Sequence, residues 1–208
     1  MSFITFRRYY LDRMLEASPF YGRVLDVGGK KEKRRGDFNP PLHAVDSWEY
    51  LNIDAVTKPD YCCSAEKIPV PDEHFNIVLM AEVIEHLKYP RNVLRECCRI
   101  LKKDGNLIAT MPFLFPIHAD PHDFQRWTDT KIKLVFESVG FSDIKVTPMG
   151  GTGSVIHDLL YVSFSKVRRC PLWLKTLKIS KPLFLLMDRV LHKSQRFITT
   201  GYFVVAKK

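Results

Sequence analysis

Residues 23–30, Arg23-Val24-Leu25-Asp26-Val27-Gly28-Gly29-Lys30, decide the fold. Val24, Leu25 and Val27 supply the apolar, β-branched character of a strand buried on both faces. Gly28 and Gly29 then let the backbone turn through dihedrals closed to other residues and approach a ligand closely. The stretch lacks a full GxGxxG, and strands ending in two glycines also occur in α/β proteins that bind no nucleotide, so the neighbouring segments must carry the argument.

Working outward, Ser2 to Glu16 places Phe3, Phe6, Tyr10 and Met14 at helical spacing, and Ser18-Pro19 ends that helix before the first strand. After the glycines, the basic run Lys30–Arg35 and Asn39-Pro40-Pro41 replace the usual helix by a loop. Tyr50–Asp54 reads as a second strand ending in an acid, with a short segment around Tyr61–Ser64 after it. Phe75–Met80 is a buried strand introduced by the turn Pro71–His74. Pro90 suits the first turn of a helix whose apolar face is Val93, Leu94, Cys97, Ile100 and Leu101, with Asp104-Gly105 as its C-terminal stop. Asn106–Met111 gives another strand, Thr128 caps a helix that Gly140 ends, and strands recur at Ile144–Thr147 and Tyr202–Ala206. The alternation predicts a doubly wound, mostly parallel sheet with its ligand across the carboxyl ends of the strands.

The chain's 208 residues, 46% of them hydrophobic, are enough for one domain with a complete core. Five cysteines, in two vicinal pairs plus Cys170, show neither CxxC nor a His/Cys spacing suited to zinc, which fits a reducing compartment and predicts no metal site. No apolar run approaches the roughly 20 residues that cross a bilayer, so the expectation is a cytoplasmic protein, at most peripheral to the inner membrane face. The net charge of +9 points to an anionic partner or to solubility. Between Gly151 and Gly201 nine basic residues face only Asp158 and Asp188, so most of the excess is local.

Four blocks resemble the class I S-adenosylmethionine-dependent methyltransferases, from about Arg23 to Gly150 and again at the last strand. They are VLDVGG at Val24–Gly29, the acid Asp54 ending NID, SAEKIPVPDEHFNIVLMAEVIEHL at Ser64–Leu87, and LRECCRILKKDGNLIATMP with its Lys-Asp-Gly turn. The resemblance implies S-adenosyl-L-methionine as cofactor and a Rossmann-like sheet of about seven strands whose last strand is antiparallel. It also implies cofactor contacts at Asp26, Gly28 and Gly29, at Asp54 on the ribose, at Ser64, Ala65 and Glu66 by the adenine, and at Ala81, Glu82 and Val83 by the methionine end. One carboxylate at Asp54 can accept from both vicinal hydroxyls of a ribose. Glu85-His86 reads first as an anchor for the loop that follows Phe75–Met80.

Pro116–Thr128 (PIHADPHDFQRWT) lies where the chain crosses the mouth of that pocket, and it concentrates ionisable and aromatic groups. His118 or His122 is the candidate general base, with Asp123 orienting it; Arg126 is a candidate for holding an anionic group and Trp127 for stacking on a sugar ring. An internally bonded buttress is the competing reading of the same loop. Its pattern is similar to that of methyltransferases from glycan gene clusters, which implies a small-molecule, sugar or lipid-linked acceptor and O-methylation. A quinone or lipid methyltransferase, and a non-catalytic module with the same pocket, are the alternatives. Ala81-Glu82-Val83-Ile84 is not an Asn/Asp-Pro-Pro-aromatic motif, which argues against nucleic acid.

The expected organisation is a single domain: an N-terminal helix over 1–22, a cofactor-binding core over 23–150, a helical basic insertion over 151–200 and the last strand over 201–208. The insertion carries three apolar segments, Val155–Val167, Trp173–Leu177 and Leu183–Leu191, among its basic residues. It reads either as a cap over the acceptor pocket or as a surface for anionic membrane through 155–196.

Overall fold

Val24 to Val27 do form the strand at the centre of the architecture, β1 (Arg23–Val27). The computed structural model describes residues 5–32, 36–118, 121–166, 171–191 and 197–208. Phe3, the basic residues at 33–35, Asp120, Val167, Arg168, Arg169, Lys193 and Arg196 therefore lie outside the described residues. Five further strands complete one sheet: β2 (Ser47–Leu51), β3 (Phe75–Ala81), β4 (Leu101–Pro112), β5 (Ser142–Met149) and β6 (Gly201–Lys207). Their order is β2-β1-β3-β4-β6-β5, with β1 parallel to β2 and β3, β4 parallel to β3, and β6 antiparallel to both β4 and β5.

The expected mostly parallel sheet with an antiparallel last strand is thus observed, with six strands among the described residues rather than about seven. Tyr61 makes only an isolated parallel bridge to Leu51 at the β2 edge, where a further strand would lie. No helix is described between β1 and β2. Gly28 N–H instead donates directly to Leu51 O at 2.7 Å, joining the glycine turn to the end of β2.

Alternating side chains cover both faces of the sheet, as a doubly wound fold requires. Val78 and Met80 pack with Val93, Leu94 and Cys97 of α2 (Pro90–Ile100) and with Ile132, Val135 and Phe136 of α3 (Asp129–Glu137). Ile77 and Leu79 pack on the other face with Leu11 and Leu15 of α1 (Phe6–Glu16). Pro90 begins α2, and the Thr128 hydroxyl accepts from Lys131 N at 3.3 Å as the N-cap of α3. Asp104-Gly105 does not stop α2. That helix ends at Ile100 and β4 starts at once, so Asp104, left-handed at φ +64°, turns within the irregular start of the strand, where the register against β3 shifts.

The insertion forms α4 (Thr152–Ser165), α5 (Pro171–Ile179) and α6 (Lys181–Val190). Two buried carboxylates hold it in place, Asp188 tying α6 to α4 and Asp158 tying α4 to α1, each at the N-terminus of a helix, where unpaired N–H groups and the helix dipole favour an anion. Asp188 of α6 accepts from Gly153 N at 2.7 Å, from Ser154 N at 3.2 Å and from the Ser154 hydroxyl. Asp158 of α4 accepts from Phe6 N at 2.8 Å and Arg7 N at 2.9 Å, capping α1. No helix among the described residues is long and apolar enough to cross a membrane.

Candidate active site

The chain reverses its winding direction at β1, which lies between β2 and β3, and this switch point opens a crevice at the carboxyl ends of these strands. Gly28 occupies it at φ +80°, and a Cβ there would lie 2.7 Å from Val83 Cγ2. Any side chain at this position meets both an unfavourable backbone conformation and a steric block. A Cβ on Gly29 would lie 2.3 Å from the Asp26 carboxyl carbon, so Asp26 is tucked beneath the turn. Asn52, not singled out from the sequence, donates to Gly28 O at 3.2 Å and Gly29 O at 3.1 Å and fixes the turn from the β2 side.

Asp54 follows on the same rim, exposed, with Oδ1 accepting from Val56 N at 3.0 Å as the cap of the short turn Ala55–Thr57. Ser64 and Glu66 are exposed and Ala65 is buried. The Ser64 hydroxyl accepts from Glu66 N at 3.2 Å, and the Glu66 carboxylate accepts from Asn92 at 3.1 Å.

Across the crevice, Ala81 ends β3 and Glu82 takes the left-handed region at φ +60°, which a non-glycine residue holds only when its surroundings over-determine it. Here Glu82 N donates to the Thr110 hydroxyl at 3.0 Å, that hydroxyl donates to Glu82 Oε1 at 3.1 Å, and Arg7 of α1 pairs with the carboxylate. Arg7 is a site residue that sequence reasoning missed. Its guanidinium lies 4.0 Å above the Phe115 ring, and burial lowers its pKa to about 10 although Glu85 and Asp158 act in the opposite sense.

The turn Ile84–His86, expected to anchor the loop that follows β3, also bonds to the separate loop Pro116–Thr128. Phe124 N donates to Glu85 O at 2.8 Å, Gln125 donates to Ile84 O and Leu87 O at 3.0 and 2.9 Å, and His86 Nδ1 lies 2.5 Å from His122 O. Glu85 does more than anchor: its side chain is 0% exposed, neither carboxylate oxygen has a hydrogen bond among the described residues, and Oε1 lies 3.5 Å from His118 Nε2 and 3.7 Å from His86 Nε2. On its other side His118 Nδ1 lies 3.6 Å from Asp123 Oδ2, and His118 N donates to the same oxygen at 3.0 Å.

The loop residues therefore divide. His118, Asp123 and Glu85 come together, whereas the His122 imidazole is exposed beside Phe124, with ring centroids 5.4 Å apart, and only its carbonyl reaches the cluster. Arg126 spends both terminal nitrogens on Asp123, with Nη2 2.6 Å from Oδ2, so it braces the loop rather than awaiting an anion. Trp127 lies in the core, its indole N–H on Gln125 Oε1 at 3.0 Å. In this arrangement its ring is taken up by core packing, and it is not presented for stacking on a sugar.

The hydrogen bonds from Arg126 hold the Asp123 carboxyl well below the usual carboxylate range, at about 2. A depressed folded-state pKa stabilises the fold above the ordinary value, and that contribution is lost as pH falls from about 4 through about 2. Two pK units correspond to about 2–3 kcal/mol. A carbon-detected NMR titration should find Asp123 still ionised at pH 3 in the wild type and near its ordinary pKa in Arg126→Gln. Equal titration in both proteins would remove Arg126 as the cause.

With this geometry in place, comparison with known proteins is informative. A family model described as a methyltransferase domain matches residues 38–109. The ubiquinone/menaquinone biosynthesis C-methyltransferase UbiE of Laribacter hongkongensis is 38% identical over a match covering 42% of this chain and 41% of its own length. The UbiE of Neisseria meningitidis serogroup C is 33% identical over 40% of this chain and 34% of its own. The chain thus aligns with about a third to two fifths of the length of these relatives. Among solved structures, a SAM-dependent methyltransferase from Archaeoglobus fulgidus superposes with a TM-score of 0.59 at 17% identity, covering 97% of this chain and 92% of that one. The [4+2]-cyclase SpnF gives a TM-score of 0.61 at 15% identity over 95% and 81%. At such identities the likeness is one of fold, and the cyclase shows that this fold hosts more than one chemistry.

Proposed function

We propose that this chain is a class I S-adenosylmethionine-dependent methyltransferase that transfers a methyl group to an oxygen of a small-molecule or glycan-type acceptor. The observation that carries this reading is His118 at the pocket mouth, with buried Glu85 on one side and Asp123 on the other. A hydroxyl must lose its proton as it becomes a nucleophile, and an imidazole held between two carboxylates is suited to take it.

The donor set fits the cofactor. The Gly28-Gly29 turn, which has no room for a Cβ against Val83 or Asp26, brings bare backbone to the crevice, and Asp54 offers an exposed carboxylate for two vicinal hydroxyls. In this assignment Asp26, Gly28 and Gly29 shape the turn, Asp54 binds the ribose, Ser64, Ala65 and Glu66 border the adenine, and Ala81, Glu82 and Val83 line the methionine end. S-adenosylmethionine supplies, when bound, a methyl group already activated on a sulfonium. The protein's own contribution is alignment and exclusion of water. Arg7 of α1, stacked over Phe115 of the loop after β4, borders the crevice, Asp123 sets the orientation of His118, and His118 Nε2 receives the acceptor's proton.

A second reading, a quinone or lipid acceptor, is favoured by the identity to the UbiE proteins over the matched segment and by the surface of the insertion. Trp173, Ile179, Leu183, Leu186 and Val190 are exposed alongside Lys175, Lys178 and Arg189. Such a pairing of apolar and basic groups suits anionic lipid. Label transfer from tritiated methyl donor into fractionated extracts separates the readings. Counts in polar saccharides or small metabolites support the first, and counts in the lipid fraction together with flotation on anionic vesicles support the second. Absence of label from every fraction, in protein that binds the cofactor, would leave the non-catalytic module.

A further inference from the structure

We propose that Glu85, His86 and His118 form a binding site for a divalent first-row transition-metal ion. Their candidate ligand atoms all lie within 4.8 Å of one another, and Glu85 Oε1 is 3.5 and 3.7 Å from the two imidazole Nε2 atoms. Ligands about 2.0–2.2 Å from a shared ion lie roughly 3–3.5 Å apart, so a small closing movement of His86 completes the set.

The hydrogen bonds around the cluster argue for a cation at its centre. The first partner of His86 Nδ1 is the His122 carbonyl, so that nitrogen carries the proton and Nε2 presents its lone pair to Glu85. His118 Nδ1 faces two acceptors, Pro116 O at 3.3 Å and Asp123 Oδ2 at 3.6 Å, which assigns its proton in the same way. Two nitrogen lone pairs and a carboxylate oxygen therefore converge with no hydrogen between them. The carboxylate itself is fully buried and has no hydrogen bond among the described residues, an arrangement that costs free energy until a positive charge meets it. Arg7, which feels the charge of Glu85, is already paired with Glu82.

An outer layer is also in place. Metal-ligating histidines commonly give their second N–H to a carboxylate or a backbone carbonyl, as His118 does toward Pro116 O and His86 toward His122 O, while Asp123, held by Arg126, accepts from the His118 backbone N–H. Two nitrogens and one oxygen suit zinc, manganese, iron or cobalt better than calcium or magnesium, which prefer oxygen throughout. Both imidazoles are partly exposed, which leaves positions on the ion for a ligand from the pocket. Linear spacing conceals the set, because its members are separated by the whole of α2 and β4. The ion's role rests on the methyltransferase reading: in the metal-free protein His118 Nε2 takes the acceptor's proton, and an ion bound to that nitrogen would take over the task by coordinating the acceptor oxygen and lowering the hydroxyl pKa, the proton passing to solvent.

The test needs neither cofactor nor acceptor. Chelator-stripped protein is titrated with Zn(II) by calorimetry and with Co(II) by visible absorption. The expected result is one ion per chain, with the d–d spectrum of a nitrogen and oxygen site and affinity reduced tenfold or more in His118→Ala and in His86→Ala. The exposed His43→Ala variant should bind as the wild type does. Glu85 is buried and Glu85→Gln can fail to fold, so the two histidine variants decide. No binding, or binding that survives both histidine variants, overturns the site. A failed methyl-transfer assay would not alter these titrations.

Discussion

His118→Ala should lower methyl transfer by about 100- to 10,000-fold, the span typical of losing a positioned proton-transfer group, while cofactor affinity stays close to that of the wild type. The separation follows from placement. His118 sits between Glu85 and Asp123 at the pocket mouth, whereas the turn of Gly28 and Gly29 is held from the opposite side by Asn52. His122→Ala is the informative partner, because its imidazole is exposed and the group that reaches the cluster is its backbone carbonyl, which the substitution keeps. Its loss should be a few-fold at most. Initial rates with labelled methyl donor, alongside calorimetry of each variant with the demethylated cofactor, provide both readouts. Equal damage from the two substitutions, or loss of cofactor binding in His118→Ala, would contradict the assignment.

The second large effect concerns the insertion. Asp188→Ala should destabilise the protein by about 3–5 kcal/mol, because it leaves Gly153 N, Ser154 N and the Ser154 hydroxyl buried without their acceptor. For a chain of this size that is a fall in Tm of roughly 6–20 °C. Substitutions at exposed positions of the same helix, such as Val190→Ala at 74% exposure, should shift Tm far less. Thermal unfolding followed by circular dichroism makes the comparison. A shift for Asp188→Ala no greater than for Val190→Ala would show that α6 is not fastened to α4 by this carboxylate.

That carboxylate also marks the boundary of what the sequence can disclose. Strands announced themselves through local apolar runs, and Pro90 and Thr128 mark helix starts because capping is a local event. Asp104-Gly105 misled because the same dipeptide suits a helix end and a tight turn, and the choice between them was made by pairing with β3. Asp158 and Asp188 look like ordinary surface acids of a basic segment; they prove to be buried caps of helices far away in sequence. Trp127 and Arg126 lie in a loop whose composition suggests substrate contact, yet the loop spends both of them on its own packing. The glycine turn and the acid at Asp54 were legible as a pattern. Arg7, Asn52 and the burial of Glu85 were not, since each acquires its meaning only from a partner on another element.

The most direct test of the central claim, that the crevice at the ends of β1, β2 and β3 holds S-adenosylmethionine, is calorimetric titration of S-adenosylhomocysteine into the wild-type protein and Asp54→Ala. The account predicts one site per chain, with affinity in the variant weaker by about 1–3 kcal/mol, or roughly 5- to 150-fold, as expected for lost hydrogen bonds to a charged group. No heat of binding to the wild type, or equal affinity in the two proteins, would contradict it.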